Sequence, residues 1–231
     1  MKTIGMLGGM SWESTAVYYR LINRAVREKL GGVHSAKALI HSFDFGEIAA
    51  LQADGKWDEA TNRMTAAGAG LARGGAGFLI VCCNTMHLMA DAVEQAAGIP
   101  LLHIADPLGR AIAARGLKRV GLIGSCHTME KGGVIVDRLK GRFGLEILVP
   151  GEEERGRIHR IIIEELCRGE FLEPARETCR AAMAGLVARG AQGIILGCTE
   201  IPLLVKSEDA SVPMFDTTAL HAMAAVEMAL G

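Results

Sequence analysis

The amino-acid sequence predicts an α/β protein made of two pseudo-symmetric half-domains, each a Rossmann-like unit in which helices cover a parallel sheet. Two observations carry this. The chain repeats itself: Lys2-Thr3-Ile4-Gly5-Met6-Leu7-Gly8 matches Lys118-Arg119-Val120-Gly121-Leu122-Ile123-Gly124 at an offset of 116. Ala72-Arg73-Gly74 and the apolar run to Cys83 and Thr85 match Ala188-Arg189-Gly190 and the run to Cys198 and Thr199, with one residue slipped. Ile99-Pro100-Leu101-Leu102 matches Val212-Pro213-Met214-Phe215 at an offset of 113. Three matches in one order indicate a duplicated unit. Within each copy, short apolar strands also alternate with stretches of helical periodicity, the pattern of a parallel sheet buried on both faces.

Each copy reads as strand, glycine turn, helix, strand, helix, apolar strand ending in cysteine, helix, and a strand led by proline. In the first copy the opening strand runs into Gly8-Gly9, and Ser11 is placed to cap a helix with Glu13 in its first turn. Val17, Leu21, Ala25 and Leu30 recur at helical spacing before Gly31-Gly32 stops the helix. Trp57 to Arg73 turns Ala60, Met64, Ala67 and Leu71 inward, and the apolar strand Phe78 to Val81 follows. In the second copy Glu173 to Arg189 carries Ala175, Cys179, Ala182, Leu186 and Val187 inward, and Gly193 to Gly197 leads to Cys198.

The chain has 231 residues, half of them apolar, which is enough to bury a core without covalent staples. Lys and Arg number 25 against 26 Asp and Glu, so no net field recruits nucleic acid or an anionic membrane, and a small molecule is the expected partner. Glycines at 5, 8 and 9 and then Glu13 break up any apolar leader, and no uncharged run reaches the roughly 18 residues of a membrane span. The six cysteines, at 82, 83, 126, 167, 179 and 198, lack the paired spacing of a zinc site, so no metal is expected. They read as reduced thiols in the cytoplasm.

Ligands of open parallel sheets gather beyond the C-terminal ends of the strands. The turn Gly5 to Ser11 leads there into a helix N-terminus that suits an anion, although its spacing is neither GxGxxG nor that of a P-loop. Cys83-Asn84-Thr85-Met86-His87 and Gly197-Cys198-Thr199-Glu200 place one thiol at a strand end in each copy. A lone cysteine there reads as a small buried hydrophobe, whereas two at matched positions suggest chemistry. Drawing a proton from the α-carbon of an amino acid needs a base on one face, an acid on the other and donors for the carboxylate. Two thiols facing each other across a cleft between the half-domains would meet the first two needs. Cys167 and Cys179 read as packing residues, and Cys126 as a thiol near the turn Gly124 to Met129. His87, His103 and His127 read as structural hydrogen-bonding groups. No lysine stands at an evident strand end to anchor pyridoxal phosphate.

Taken together, the motifs resemble the aspartate/glutamate racemase superfamily, in its cofactor-independent branch of broad-specificity and acidic amino-acid racemases. The resemblance runs nearly end to end: Ile4 to Thr15, His41-Ser42-Phe43-Asp44-Phe45, Cys83 to His87, His103-Ile104-Ala105-Asp106, and Gly197 to Ile201. It implies that Cys83 and Cys198 are the two proton-transfer residues, with no cofactor. It implies that Met10, Ser11, Asn84, Thr85, Thr128 and Thr199 contact the substrate amino and carboxylate groups, with Glu200 assisting Cys198. Gln52 lies in the segment from Asp44 that the resemblance associates with the substrate side chain, and no arginine there holds a distal carboxylate. Ser125-Cys126-His127 departs from the family pattern and leaves substrate choice open between acidic and neutral amino acids. The resemblance further implies domains of 1–103 plus 215–231 and of 104–214, with the last helix returned to the first domain, and a homodimer as the candidate assembly. Competing expectations are a related paired-thiol enzyme, such as a maleate isomerase, hydantoin racemase or arylmalonate decarboxylase, and a non-catalytic binder of small carboxylates.

Overall fold

The computed structural model describes residues 1–130 and 133–231 and shows an α/β chain with two all-parallel sheets. Its contacts divide the chain into two compact units, Met1–Ile104 with His221–Gly231, and Ala105–Leu220.

In the first unit β1 (Ile4–Gly8) is the central strand, with α1 (Trp12–Leu30), β2 (Ala38–Ser42), α2 (Phe45–Ala53), α3 (Trp57–Arg73) and β3 (Phe78–Val81) following in order. A 3₁₀ turn, Thr85–Met89, then leads into α4 (Ala90–Ala97). The sheet order is β2-β1-β3. The proline-led strand expected from Ile99 is reduced to a single bridge, Leu101 beside Leu79, flanked by Leu79 N–H donating to Pro100 O and Leu102 N–H donating to Leu79 O.

The second unit runs α5 (Ala105–Ala114), β4 (Arg119–Gly124), α6 (Cys126–Met129), α7 (Val134–Phe143), β5 (Glu146–Leu148), α8 (Glu152–Glu164), α9 (Glu173–Ala188), β6 (Ile194–Gly197), α10 (Ile201–Leu204) and β7 (Met214–Asp216), and the chain ends in α11 (Thr217–Leu230), most of which belongs to the first unit. Its sheet order, β5-β4-β6-β7, repeats that of the first unit with the bridge counted as a strand. Where the first unit has the 19-residue α1, the second has α6 and α7, because Glu130 and Gly133 adopt extended backbone between them. β7 pairs with β6, so residues 214–216 stand in the second sheet, and the chain rejoins the first unit at His221 within α11. The sequence-based reading starts the returning segment at 215.

The duplication extends to register. Leu7 pairs with Val81, and its counterpart Ile123 pairs with Leu196. Cys83 and Cys198 therefore each stand two residues beyond equivalent pairs. Side-chain alternation assigns their faces: Leu79, Val81 and Cys83 pack with α2, α3 and α4, while Phe78, Ile80 and Cys82 pack with α1 and α11. Ile194, Leu196 and Cys198 pack with α8 and α9. Gly5 and Gly121 are equivalent as well, since a methyl group there would stand 2.6 Å from Leu79 Cδ2 and 2.8 Å from Ile194 Cδ1.

The inward face of α1 differs from the expected one. Tyr18, Ile22, Ala25 and Val26 are buried, whereas Leu30 is exposed and Val17 and Leu21 are half-buried. A stripe of Val17, Leu21 and Leu30 weights aliphatic residues and misses Tyr18, whose hydroxyl is satisfied inside the unit. Ser11 takes the N-cap position with extended backbone but makes no side-chain cap bond. The α3 stripe Ala60, Met64, Ala67 and Leu71 is buried as expected, and so are Ala175, Cys179, Ala182 and Leu186 of α9.

Gly9 is the tightest point of the first turn. Its φ is +83°, and an added Cβ would lie 2.3 Å from Phe43 O and 2.4 Å from Phe43 N. Neither backbone atom can rotate away. Gly9→Ala combines left-handed strain with overpacking, a loss of about 2–4 kcal/mol. That corresponds to a melting temperature lowered by roughly 5–10 °C in differential scanning calorimetry, and an unchanged melting temperature would contradict this reading of the turn.

Candidate active site

The first unit gathers its site residues beyond the C-terminal ends of two adjacent parallel strands. Beyond β1, Met10 and Ser11 are 3% and 1% exposed, and the peptide bond between them is cis. Thr15 organises this turn: Gly9 N–H donates to Thr15 Oγ1 at 2.8 Å, and the Thr15 and Ser14 hydroxyls both donate to Ser11 O at 3.0 Å. Beyond β3, Cys83 is half-buried, Asn84 is buried and Thr85 opens the 3₁₀ turn. Met10, Leu51, Met86 and Cys83 belong to one packing cluster. Gln52 enters through its neighbour, with Nε2 donating to Met86 Sδ at 3.1 Å.

Cys82 and Cys83 are adjacent but differ in kind. Cys82 is fully buried on the opposite face, and burial pushes its thiol far up, out of reach of ionisation at neutral pH. Cys83, by contrast, is half-buried.

His87, four residues on, is held at both ring nitrogens. Ile104 N–H donates to Nε2 at 3.1 Å, and Nδ1 lies 2.8 Å from Cys83 O. The first unit's segment from Asp44 holds no arginine, but Arg63 of α3 reaches it and pairs with Glu47 and Glu59.

The second unit presents an equivalent arrangement beyond β4 and β6. Ser125 caps α6 by accepting from Thr128 N–H, and its hydroxyl lies 3.0 Å from that of Thr128. Thr128 is buried against β6, since a methyl group on Gly197 would stand 3.2 Å from Thr128 Cγ2. Cys198, Thr199 and Glu200 are 7%, 4% and 2% exposed. One carboxylate oxygen, Glu200 Oε2, accepts from Cys198 Sγ–H at 3.1 Å and from Thr199 Oγ1–H at 2.6 Å. Burial, reinforced by the Glu200 charge, holds the Cys198 thiol well above the ordinary cysteine range. Cys198 is therefore held as the protonated thiol.

Cys126 is half-buried and its Sγ points to Arg155 O at 3.7 Å. Burial raises its pKa as well. His127 contacts Glu130 at 3.7 Å and stands 6.0 Å from the His159 ring. Cys179 is a core residue of α9 with its pKa pushed up to about 12 by burial, and Cys167 packs at the edge of the same cluster. Among the described residues no group of three or more His, Cys, Asp or Glu side chains is placed to hold a metal ion, and no helix is long and apolar enough to cross a membrane.

Thus the structure gathers Met10, Ser11, Cys83, Asn84, Thr85 and Gln52 in one unit, and Thr128, Cys198, Thr199 and Glu200 in the other. Sequence reasoning missed the organising role of Thr15, four residues after Ser11 and so able to reach its carbonyl. It also missed Tyr18 and His221, whose contact spans 203 residues and leaves no local signal.

Comparison with known proteins agrees with the fold. A candidate Asp/Glu racemase from Yersinia pestis, of known structure, is 49% identical with full coverage of both chains and a TM-score of 0.91. An aspartate racemase homologue from Pyrococcus horikoshii is 33% identical, again with full coverage of both, at a TM-score of 0.83. Glutamate racemase of Persephonella marina is 32% identical over 135 residues, 54% of this chain and 47% of that one. The chain spans about half the length of the curated relatives that it matches first. The model of the Asp/Glu/hydantoin racemase family matches residues 7–225, nearly the whole chain, and the protein belongs to that family.

Proposed function

We propose that the protein racemises an amino acid without a cofactor, using Cys83 and Cys198 as the two proton-transfer groups. The observation that carries this reading is the register: in two copies of one fold, a thiol stands two residues beyond the same strand pair, on the same face. A family of racemases supplies the reaction class.

The proton accounting is closed. A thiolate takes the α-proton and becomes a thiol, leaving negative charge on the α-carbon and carboxylate. The other thiol then delivers its proton to the opposite face and becomes a thiolate. Product leaves with inverted configuration and the enzyme with its two thiol states exchanged, so the reverse reaction needs no reset. Cys198, held protonated by burial and Glu200, is the donor in the ligand-free protein. The enantiomer whose α-hydrogen faces Cys83 is then the one processed first. When Cys198 acts as base it does so as the thiolate that the forward reaction leaves, beside the Glu200 carboxylate that accepts its S–H at rest.

The hydroxyls of Ser11, Thr85, Thr128 and Thr199 and the amide of Asn84 are assigned to the substrate carboxylate and ammonium, where they stabilise the charge that develops in the transition state. Aspartate and glutamate are the preferred substrates, in line with similarity to an aspartate racemase homologue and to a glutamate racemase. Broader use of neutral amino acids is compatible with Arg63 being paired with Glu47 and Glu59. Thiols work this way only while reduced, so the proposal includes a cytoplasmic setting.

The test is α-proton exchange in heavy water, followed by NMR across a panel of L- and D-amino acids. Exchange with inversion is expected for aspartate or glutamate. Loss of the α-proton signal from none of the panel would sink the proposal.

A further inference from the structure

We propose that His87 is a positioning residue for Cys83: an imidazole held in one tautomer that fixes the Cys83 carbonyl and ties it to Ile104, where the chain leaves the first unit. The proposal rests on the reading of Cys83 given above. No proton transfer to substrate is assigned to His87.

The tautomer follows from the partners. A backbone N–H can only donate, so the Nε2 that receives Ile104 N–H carries no proton. A carbonyl oxygen can only accept, so Nδ1 carries the proton and donates it to Cys83 O at 2.8 Å. The ring is 0% exposed, and burial holds it well below the ordinary histidine range, with His103 and His221 acting in the same direction. His103 and His221 stand 4.7 and 5.6 Å from it, centroid to centroid.

His221 obeys the same logic. Its Nε2 must donate to Leu102 O at 2.8 Å, which leaves Nδ1 to accept from the Tyr18 hydroxyl at 2.9 Å. Two imidazoles therefore grip the backbone on either side of His103, at Leu102 and Ile104. Ile104 is the last residue of the first unit and His221 the first of its returning segment, so the cluster sits where the chain leaves that unit and where it comes back. A metal would have to displace Ile104 N–H or the Tyr18 hydroxyl from nitrogens already in use.

A four-residue ring closure from Cys83 O to His87 Nδ1 thus fixes the backbone that carries the thiol. Misplacing a reacting group by about 1 Å costs on the order of 100-fold in rate. A structural support and a positioning residue differ in what replaces them. Asparagine can present an N–H near the position of Nδ1, glutamine near that of Nε2, and alanine neither.

The experiment compares His87→Asn, His87→Gln and His87→Ala by steady-state kinetics and by the rate at which iodoacetamide alkylates Cys83, read by peptide mass spectrometry. Expected are a kcat lowered about tenfold or more in His87→Ala and His87→Gln, KM held within about threefold, and substantial recovery of kcat in His87→Asn. The Cys83 alkylation rate should shift in the first two and return towards wild type in the third. Equal losses in Asn and Gln, or a Cys83 alkylation rate that no variant moves, would overturn the proposal. Should His87→Ala fail to fold, the Asn and Gln pair decides. Should the wild type racemise nothing, the function proposed above fails by itself, and the alkylation rates still decide the role of His87.

Discussion

Cys83→Ala and Cys198→Ala should each abolish racemisation while leaving α-proton exchange in opposite enantiomers. With one thiol gone, the other can still take the proton that faces it and return a solvent-derived one to the same side. Exchange then continues with retention, slowly, for one enantiomer only. Racemisation needs both faces, and loss of a general acid or base costs about 10²–10⁴-fold, so kcat should fall by roughly 10³-fold. KM should change by no more than about threefold, because the assigned substrate contacts belong to other side chains. The mirror relation is the discriminating part of the result, since distortion of the site would suppress exchange of both enantiomers together. Heavy-water NMR on the separate enantiomers, with chiral chromatography of the products, reads both quantities. Racemisation within tenfold of wild type in either variant, or exchange of the same enantiomer by both, would remove the two-thiol mechanism.

How far such a mechanism could be foreseen differs between levels of structure. The duplication, the strand-ending thiols and the helix Trp57–Arg73 were legible because they depend on local pattern: period-two burial, helical spacing, and glycine where chains approach closely. Even the opposite facing of Cys82 and Cys83 follows from strand alternation. The inward face of α1 was misjudged because Tyr18 is polar by composition and buried by virtue of a partner 203 residues away. The division of the second unit's first helix into α6 and α7 turns on Glu130 and Gly133 taking extended backbone, which a short apolar stretch does not reveal. His87 shows the same limit from the other side. Its place in Cys83-Asn84-Thr85-Met86-His87 was visible, and a structural role was the expectation, but which groups it bonds depends on Ile104, 17 residues on, in the segment that the bridge of Leu101 to Leu79 holds against β3.

Glu200→Gln should slow turnover while making Cys198 more reactive towards alkylation, two effects of opposite sign from one substitution. In the wild type, burial is the largest influence holding the Cys198 thiol up, and the Glu200 carboxylate adds to it through its charge and by accepting the S–H bond. Glutamine keeps the shape and an acceptor oxygen but removes the charge. The burial contribution stays and the electrostatic one goes, so the thiol pKa falls. Below that pKa the thiolate fraction rises tenfold for each unit of decrease, and the lower basicity of the sulfur takes back part of the gain, leaving about threefold faster alkylation per unit. Turnover in the direction that uses Cys198 as base moves the other way, because a sulfur of lower pKa takes the α-proton less readily, a loss of roughly threefold per unit of decrease. The pH dependence supplies a further check: the alkylation profile of Cys198 should shift to lower pH in Glu200→Gln, while that of Cys126, raised chiefly by burial and standing near Arg155 and Glu130, should not move. If alkylation of Cys198 slows and turnover is unchanged, Glu200 has no part in its protonation. If alkylation quickens and turnover falls, the carboxylate controls the thiol in both its roles, as proton donor at rest and as base when the reaction runs in reverse.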